Sequence, residues 1–432
     1  MRVKVRPARQ GLVGQLTVPG DKSLSHRAAI LGGLAEGETR ISNFLPGRDC
    51  LATLRILRQL GVGIDRLAPG EVVVKGRAGR LAEPEEVLDA ANSGTTARLM
   101  LGVLAGQELG AVLTGDASLR RRPMGRVTGP LSRMGAKFLG RAGGDRLPLA
   151  VEGCRRLAAS KFVLPVASAQ VKSALLLAGL QAEGVTRVAE PAASRDHTER
   201  LLPSFGWPVE REAPTVVAVR GPARLHGCRV AVPGDLSSAL FFAVAATLVP
   251  GSCLRLAHVG LNPTRTGALG VLRRMGAELE LTDWREENGE PRGTLVVYSA
   301  ALEATEVRPE EVPALIDEIP VLAVAAAQAR GTTVFRGVGE LRNKETDRLA
   351  ALEQELRRLG VVAQAEGDTL TVTGGRLRGG LGRSHGDHRI AMALAVAGLA
   401  SAEGVEVAGA ECVEVSFPGF FDLLGVAAPG SV

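Results

Sequence analysis

Six Ala/Leu-rich stretches run along the chain, and each reaches a glycine and passes at once into a β-branched segment. The junctions are LAEGETRI at Gly37, GQELGAVL at Gly110, QAEGVTRV at Gly184, LVPGSCLRL at Gly251, QARGTTVF at Gly331 and SAEGVEV at Gly404. A period of roughly 65 to 80 residues marks an internal repeat. A second helical pattern follows and stops again at glycine, in Leu51 to Gly61, Gly129 to Gly135, Glu199 to Gly206, Gly270 to Gly276 and Leu349 to Gly360. Glycine just past a helix end takes a left-handed φ without steric cost, so these positions predict helix stops. Short β-branched runs, such as Glu71 to Lys75, Leu295 to Tyr298 and Thr369 to Val372, supply further strands. The pattern predicts an α/β chain of helix-strand-helix-strand units, the sixth cut short at Phe420 to Leu424. A unit this small needs neighbours to cover its apolar face, and six fit two globular halves of three better than an open solenoid.

At 432 residues and 45% hydrophobic content, the chain can bury a large core, and its length favours two or three domains. The Ala/Leu stretches are broken by Gly, Gln, Glu or Arg before they reach a membrane-spanning length. The N-terminal MRVKVRPARQGLVGQLTV has basic residues with no apolar block behind them, which predicts an edge strand and no signal peptide. Five cysteines without C-x-x-C spacing suit a reducing compartment without structural zinc, so the cytoplasm is expected. A formal charge of +6 suits an anionic partner, while 3% aromatic residues leave little to stack on bases. A small anionic substrate is therefore expected, with neither nucleic acid nor membrane as partner.

Polar residues gather where the first helix of a unit begins: Gly20 to Arg27, Asn92 to Arg98, Ser168 to Ser173, Asp317 to Pro320 and Gly386 to Arg389. Ser, Asp and Asn are good N-caps, which explains any one cluster blandly. Repetition with Lys or Arg added points instead to anion sites, because a helix N-terminus offers unpaired N–H groups and a partial positive charge. A P-loop is excluded by Asp21 between Gly20 and Lys22. His385 and His388 have H-x-x-H spacing, but no third ligand accompanies them and Arg389 would repel a cation, so no metal is expected. Cations recur at Lys22, Arg27, Arg122, Arg195, Lys344, Arg348 and Arg389, with Asp317 and Glu345 beside the later ones. A carboxylate held among cations is a candidate for proton transfer, with capping or ion pairing as its alternative role.

The segments GDKSLSHRA, NSGTTARL, RRPMGRV, SAQVKSA, NPTRTG, IDEIPVLAVAAA, KETDRL and GDHRIAMA, in this order over nearly the whole chain, resemble the 5-enolpyruvylshikimate-3-phosphate synthase family. VPGDKS at Val18 and VPGDLS at Val232 echo one another, as fits that family's two similar domains. The resemblance implies a two-domain inside-out α/β barrel of six repeated units, three per domain. Residues 20–233 would form one domain, 1–19 with 234–432 the other, joined by two chain crossings and closing on substrate. It also implies transfer of the enolpyruvyl group of phosphoenolpyruvate to the 5-hydroxyl of shikimate 3-phosphate, by a monomer without cofactor or metal, in aromatic amino-acid biosynthesis and as the target of glyphosate.

Carried over by position, Lys22, Ser23, Arg27, Ser168, Ala169, Gln170, Arg195, Asp317 and Lys344 would contact shikimate 3-phosphate. Lys22, Gly94, Arg122, Gln170, Arg348 and Arg389 would surround phosphoenolpyruvate, with Asn92 shaping the loop. Asp317 would accept the hydroxyl proton, and Glu345 with Lys22 would protonate and later deprotonate the methyl carbon. One departure is Val415, where many members carry Lys. The related UDP-N-acetylglucosamine enolpyruvyl transferases rely on a loop cysteine, and Thr114 to Val127 contains none. A non-catalytic anion-binding scaffold would explain the charge but not the acids placed among the cations.

Overall fold

Each Ala/Leu-rich stretch becomes a helix in the computed structural model, which describes residues 1–432. The helices are Lys22–Leu34, Gly94–Ala105, Ala169–Gly179, Leu236–Leu248, Ile319–Gln328 and His388–Ala400. Each leads into a strand: Glu38–Ser42, Gly110–Thr114, Gly184–Ala189, Cys253–Gly260, Thr332–Phe335 and Val405–Ala408. At five of the six junction glycines φ lies between +77° and +112°, a conformation that costs glycine nothing and other residues a clash. These helices have no polar face. Every residue from Leu236 to Thr247 is buried, and in Lys22–Leu34 burial begins at Leu24 and never stops. A helix apolar on all sides belongs inside a core.

The strands form six sheets, five of four strands and one of three. One pairing recurs in all six: the strand after the buried helix is parallel to one neighbour and antiparallel to the other. The sheet of three strands belongs to the shortened sixth unit, and its antiparallel place is filled by Arg2–Val5 from the chain's start. The N-terminal segment therefore gives two edge strands where the sequence suggested one, since Val13–Thr17 pairs in parallel with Cys253–Gly260. Pro7, which has no N–H to donate, lies between them.

The second helices are Arg48–Gln59, Gly125–Met134, His197–Leu201 with a 3-10 turn to Phe205, Gly267–Arg274 and Arg348–Arg358. Each ends at its glycine, with φ from +80° to +118°. The chain divides into two compact units, each with its own hydrophobic core. One comprises Gly20–Val232 with Glu287–Glu290, and the other comprises Met1–Pro19, Pro233–Glu286 and Pro291–Val432. Each unit holds three of the sheets and three of the buried helices. No helix is long and apolar enough to cross a membrane.

Candidate active site

In the unit built on Gly20–Val232, the starts of the three buried helices meet. Gln170 Nε2 donates to Thr95 Oγ1 at 2.9 Å, and Arg98 Nη1 donates to Gln170 Oε1 at 2.8 Å. Arg27 Nη2 donates to Ser173 Oγ at 2.7 Å. His26 Nδ1 lies 2.7 Å from Thr53 Oγ1, which in turn lies 2.8 Å from Thr96 Oγ1. The capping reading holds as well: Asp21, Ser93 and Ser168 accept from Leu24, Thr96 and Val171 N–H at 2.8, 3.1 and 3.4 Å. Each cap takes up only the third N–H of its helix, and three positive helix ends brought side by side still favour an anion.

Arg27 is buried, and its guanidinium donates to Thr198 Oγ1, Ser23 O and Ser173 Oγ. Burial pulls its pKa down to about 10; Glu199 and Asp21 oppose the shift and the charge of Arg195 adds to it. His26 is held well below the usual histidine value by burial and by the charges of Lys22 and Arg27. Lys22 Nζ lies 3.2 Å from Asp49 Oδ2, and Arg122 Nη2 donates to Asn92 Oδ1 at 2.8 Å. Gly94 is the first residue of its helix, and a Cβ there would stand 2.7 Å from Arg98 Nη1 and 3.3 Å from Arg122 Nη1. Ala169 opens the Ala169–Gly179 helix, and Arg195 lies half-buried on the loop before His197.

The other unit brings Asp317, Glu345, Lys344, Arg348 and Arg389 together. Arg348 is wholly buried and donates to three carboxylates: Asp387 at 2.7 Å, Glu345 at 2.6 Å and Asp317 at 3.3 Å. Burial alone would favour loss of its proton, but Asp387, Glu345 and Asp317 outweigh it and hold the pKa well above the ordinary arginine value. Lys344 Nζ lies 3.2 Å from Asp317 Oδ1. Arg389 Nη1 donates to the Asp317 carbonyl at 3.0 Å and approaches Glu318 to 3.8 Å. Asp387 caps the helix that carries Arg389, accepting its N–H at 2.8 Å, so one buried salt bridge joins the starts of two helices. His385 turns to Glu355, 2.8 Å away. Val415 ends a half-buried 3-10 turn, Ala410–Val415.

Sequence reasoning missed several of these groups. Arg98 was inside a quoted segment, as was Arg265, which is buried and donates to Ser237 Oγ at 2.6 Å with Glu318 3.8 Å away. Their side-chain identity was the only signal. Glu318 likewise lay inside the segment IDEIPVLAVAAA, whereas Asp49 gave no signal, because its partner Lys22 is distant in the chain.

Cations gathered at helix starts suit small anionic substrates, and beside them two acids are fixed on one guanidinium. The family model for EPSP synthase (3-phosphoshikimate 1-carboxyvinyltransferase) matches residues 7–424. The 3-phosphoshikimate 1-carboxyvinyltransferase of Pelotomaculum thermopropionicum is 56% identical over 96% of both chains. That of Desulforudis audaxviator is 54% identical over 97% of this chain and 98% of its own. The solved structure of EPSP synthase from Acinetobacter baumannii superposes with a TM-score of 0.88 at 41% identity, covering 99% of this chain and 98% of that one. This chain belongs to the EPSP synthase family, and its activity is enolpyruvyl transfer from phosphoenolpyruvate to shikimate 3-phosphate.

Proposed function

We propose that the two clusters divide the reaction between binding and proton transfer. Lys22, Ser23, Arg27, Ser168, Ala169, Gln170 and Arg195 hold shikimate 3-phosphate, together with Asp317 and Lys344. Lys22, Gly94, Arg122, Gln170, Arg348 and Arg389 hold phosphoenolpyruvate, and Asn92 keeps Arg122 in place. Lys22 supplies a proton, which Glu345 relays to the methylene carbon. The 5-hydroxyl then attacks the adjacent carbon and passes its proton to Asp317. The bond from that carbon to the phosphate oxygen breaks, Glu345 takes a proton back from the methyl group, and inorganic phosphate leaves with the hydroxyl proton. Each step uses a group whose geometry is fixed before substrate arrives.

The observation that carries this reading is that Asp317 and Glu345 are both bonded to Arg348. Two carboxylates held by one buried guanidinium keep a fixed separation. Three of the five guanidinium N–H groups are committed to carboxylates, so the larger part of Arg348 is to orient the acids. The two units serve as the two domains. Each has buried helices inside and sheets as its wall, which supports an inside-out α/β barrel. Five free cysteines support a reducing, cytoplasmic setting.

Phosphate release from the two substrates tests the assignment. Asp317→Ala is expected to keep the fold and to bind both substrates while kcat falls by about 10² or more, the usual scale for a lost general base. Near-normal turnover would remove Asp317 from the mechanism. A nucleotide sugar offered in place of shikimate 3-phosphate is expected to release no phosphate.

A further inference from the structure

Lys172, Glu190 and Glu199 form a buried charge cluster that the reaction scheme leaves unused. Lys172 Nζ lies 2.8 Å from Glu190 Oε2 and 2.9 Å from Glu199 Oε1, and all three side chains are at most 5% exposed. The ammonium's third bond goes to the Ser194 carbonyl, at 3.3 Å. Glu190 also faces two loops at once. Its Oε1 accepts from the Ser168 backbone N–H at 2.9 Å, and its carboxylate accepts from Ser194 Oγ at 2.6 and 2.8 Å.

These contacts decide the shape of two segments. Ser168 is the N-cap of Ala169–Gly179, so anchoring its N–H fixes where that helix begins and where Ala169 and Gln170 face. Ser194 directly precedes Arg195, and its hydroxyl and carbonyl are both tied to the cluster. Two uncompensated carboxylates beside an anion site would repel the ligand; Lys172 offsets one of them and the charge of Arg27 acts on Glu199, while Lys172 does not itself reach out because its three donors are occupied.

We infer that Lys172, Glu190 and Glu199 are positioning residues that hold the Ser168 helix start and the Ser194–Arg195 loop in register for shikimate 3-phosphate. The inference rests on the substrate assignment above. It makes the cluster act first on the acceptor substrate, which both anchored segments contact; it reaches the donor only through Gln170, because neither segment carries Gly94, Arg122, Arg348 or Arg389.

The test uses the full enzyme with Glu190→Gln, Ser194→Ala and Arg195→Ala, measuring KM for each substrate, kcat, calorimetric binding of shikimate 3-phosphate and Tm. Glu190→Gln removes the charge that faces Lys172. It is expected to raise KM for shikimate 3-phosphate about tenfold or more, the scale of a lost charge-assisted hydrogen bond, with kcat within about twofold and KM for phosphoenolpyruvate rising clearly less, through Gln170 alone. Ser194→Ala leaves the ion pairs intact and is expected to raise the same KM by roughly threefold to tenfold. If Glu190→Gln does not fold, Ser194→Ala decides alone. Wild-type binding of shikimate 3-phosphate in the folded variants, or equal rises in both KM values, would overturn the inference. Arg195→Ala separates the two layers. Should it bind shikimate 3-phosphate normally, the substrate assignment has failed; should it alone lose binding, only the positioning role has failed.

Discussion

Arg27 and Arg348 are both fully buried arginines at the start of a helix, and they differ in what surrounds them. Arg27 donates to two hydroxyls and a carbonyl, all neutral, and its pKa is depressed to about 10 by burial. Arg348 donates to three carboxylates, and its pKa is raised. A charge left among neutral oxygens in a low-dielectric site is stabilised further by an incoming anion. A charge already over-matched by carboxylates gains little from one. On the proposed assignment, the surroundings of the first arginine suit an incoming phosphate and those of the second suit holding acids still.

The largest effect expected from breaking this contrast is at Arg348. Arg348→Met would leave the buried Asp387 carboxylate without this cation and would weaken the hold on the half-buried Asp317 and Glu345, and removing one partner from a buried ion pair commonly costs about 3 to 5 kcal/mol. Denaturant unfolding is the measurement, with activity lost in parallel. A stability within about 1 kcal/mol of wild type would mean that the carboxylates are not held by Arg348.

Arg27→Met should behave oppositely. Folding leaves Arg27 charged at neutral pH in a site that disfavours the charge, so removing it takes away a desolvation penalty along with three hydrogen bonds. The fold is expected to survive within about 1 kcal/mol, while calorimetry shows shikimate 3-phosphate binding weaker by roughly 10- to 100-fold. Unchanged binding would end the distinction between the two arginines.

A smaller effect sharpens the comparison through pH. His26 sits beside Lys22 and Arg27, and its folded pKa lies well below 6.5. Below that ordinary histidine value the unfolded chain binds a proton that the folded chain refuses, so stability falls as pH drops toward the folded pKa. The slope is at most about 1.4 kcal/mol per pH unit. Comparing unfolding at pH 5 and pH 7 in wild type and His26→Gln checks it; identical acid losses in the two proteins would rule His26 out as the cause.

The fold was legible where one residue type decides a local conformation. Gly37, Gly184, Gly251, Gly331 and Gly404 mark their junctions because a left-handed φ selects glycine, and Gly61 or Gly360 mark helix ends for the same reason. Helix starts were less legible. The apolar pattern of the second helix in the second unit opens at Gly129, but the helix begins at Gly125, where Asp145 Oδ1 accepts the Gly125 N–H at 2.7 Å from 20 residues away. The site followed the same rule. Residues grouped in one segment, such as Lys344, Glu345 and Arg348, could be noticed from spacing. Partners joined only by folding, such as Arg348 with Asp387 or Lys172 with Glu190, left no trace in local sequence.

The smallest expected change, and the finest test of the anion-receiving side, is Gly94→Ala. Without a side chain at Gly94, a ligand such as phosphoenolpyruvate or the longer inhibitor glyphosate can approach the loop backbone closely. The structure adds a second consequence. The new methyl would stand 2.7 Å from Arg98 Nη1, too close to stay, and 3.3 Å from Arg122 Nη1. Arg98 is not free to swing aside, since it is bonded to Gln170 Oε1 at 2.8 Å and to the Pro123 carbonyl at 3.0 Å. Its displacement would pull on Gln170, so KM for phosphoenolpyruvate should rise several-fold. Inhibition by glyphosate should weaken more, because overpacking a fitted site by one methyl costs about 1 to 3 kcal/mol and the ligand that reaches deeper meets more of it. Parallel measurements of inhibition and phosphoenolpyruvate saturation decide the matter. Equal losses for the two ligands would show that the methyl acts only through Arg98 and Arg122, and that Gly94 does not discriminate between substrate and inhibitor.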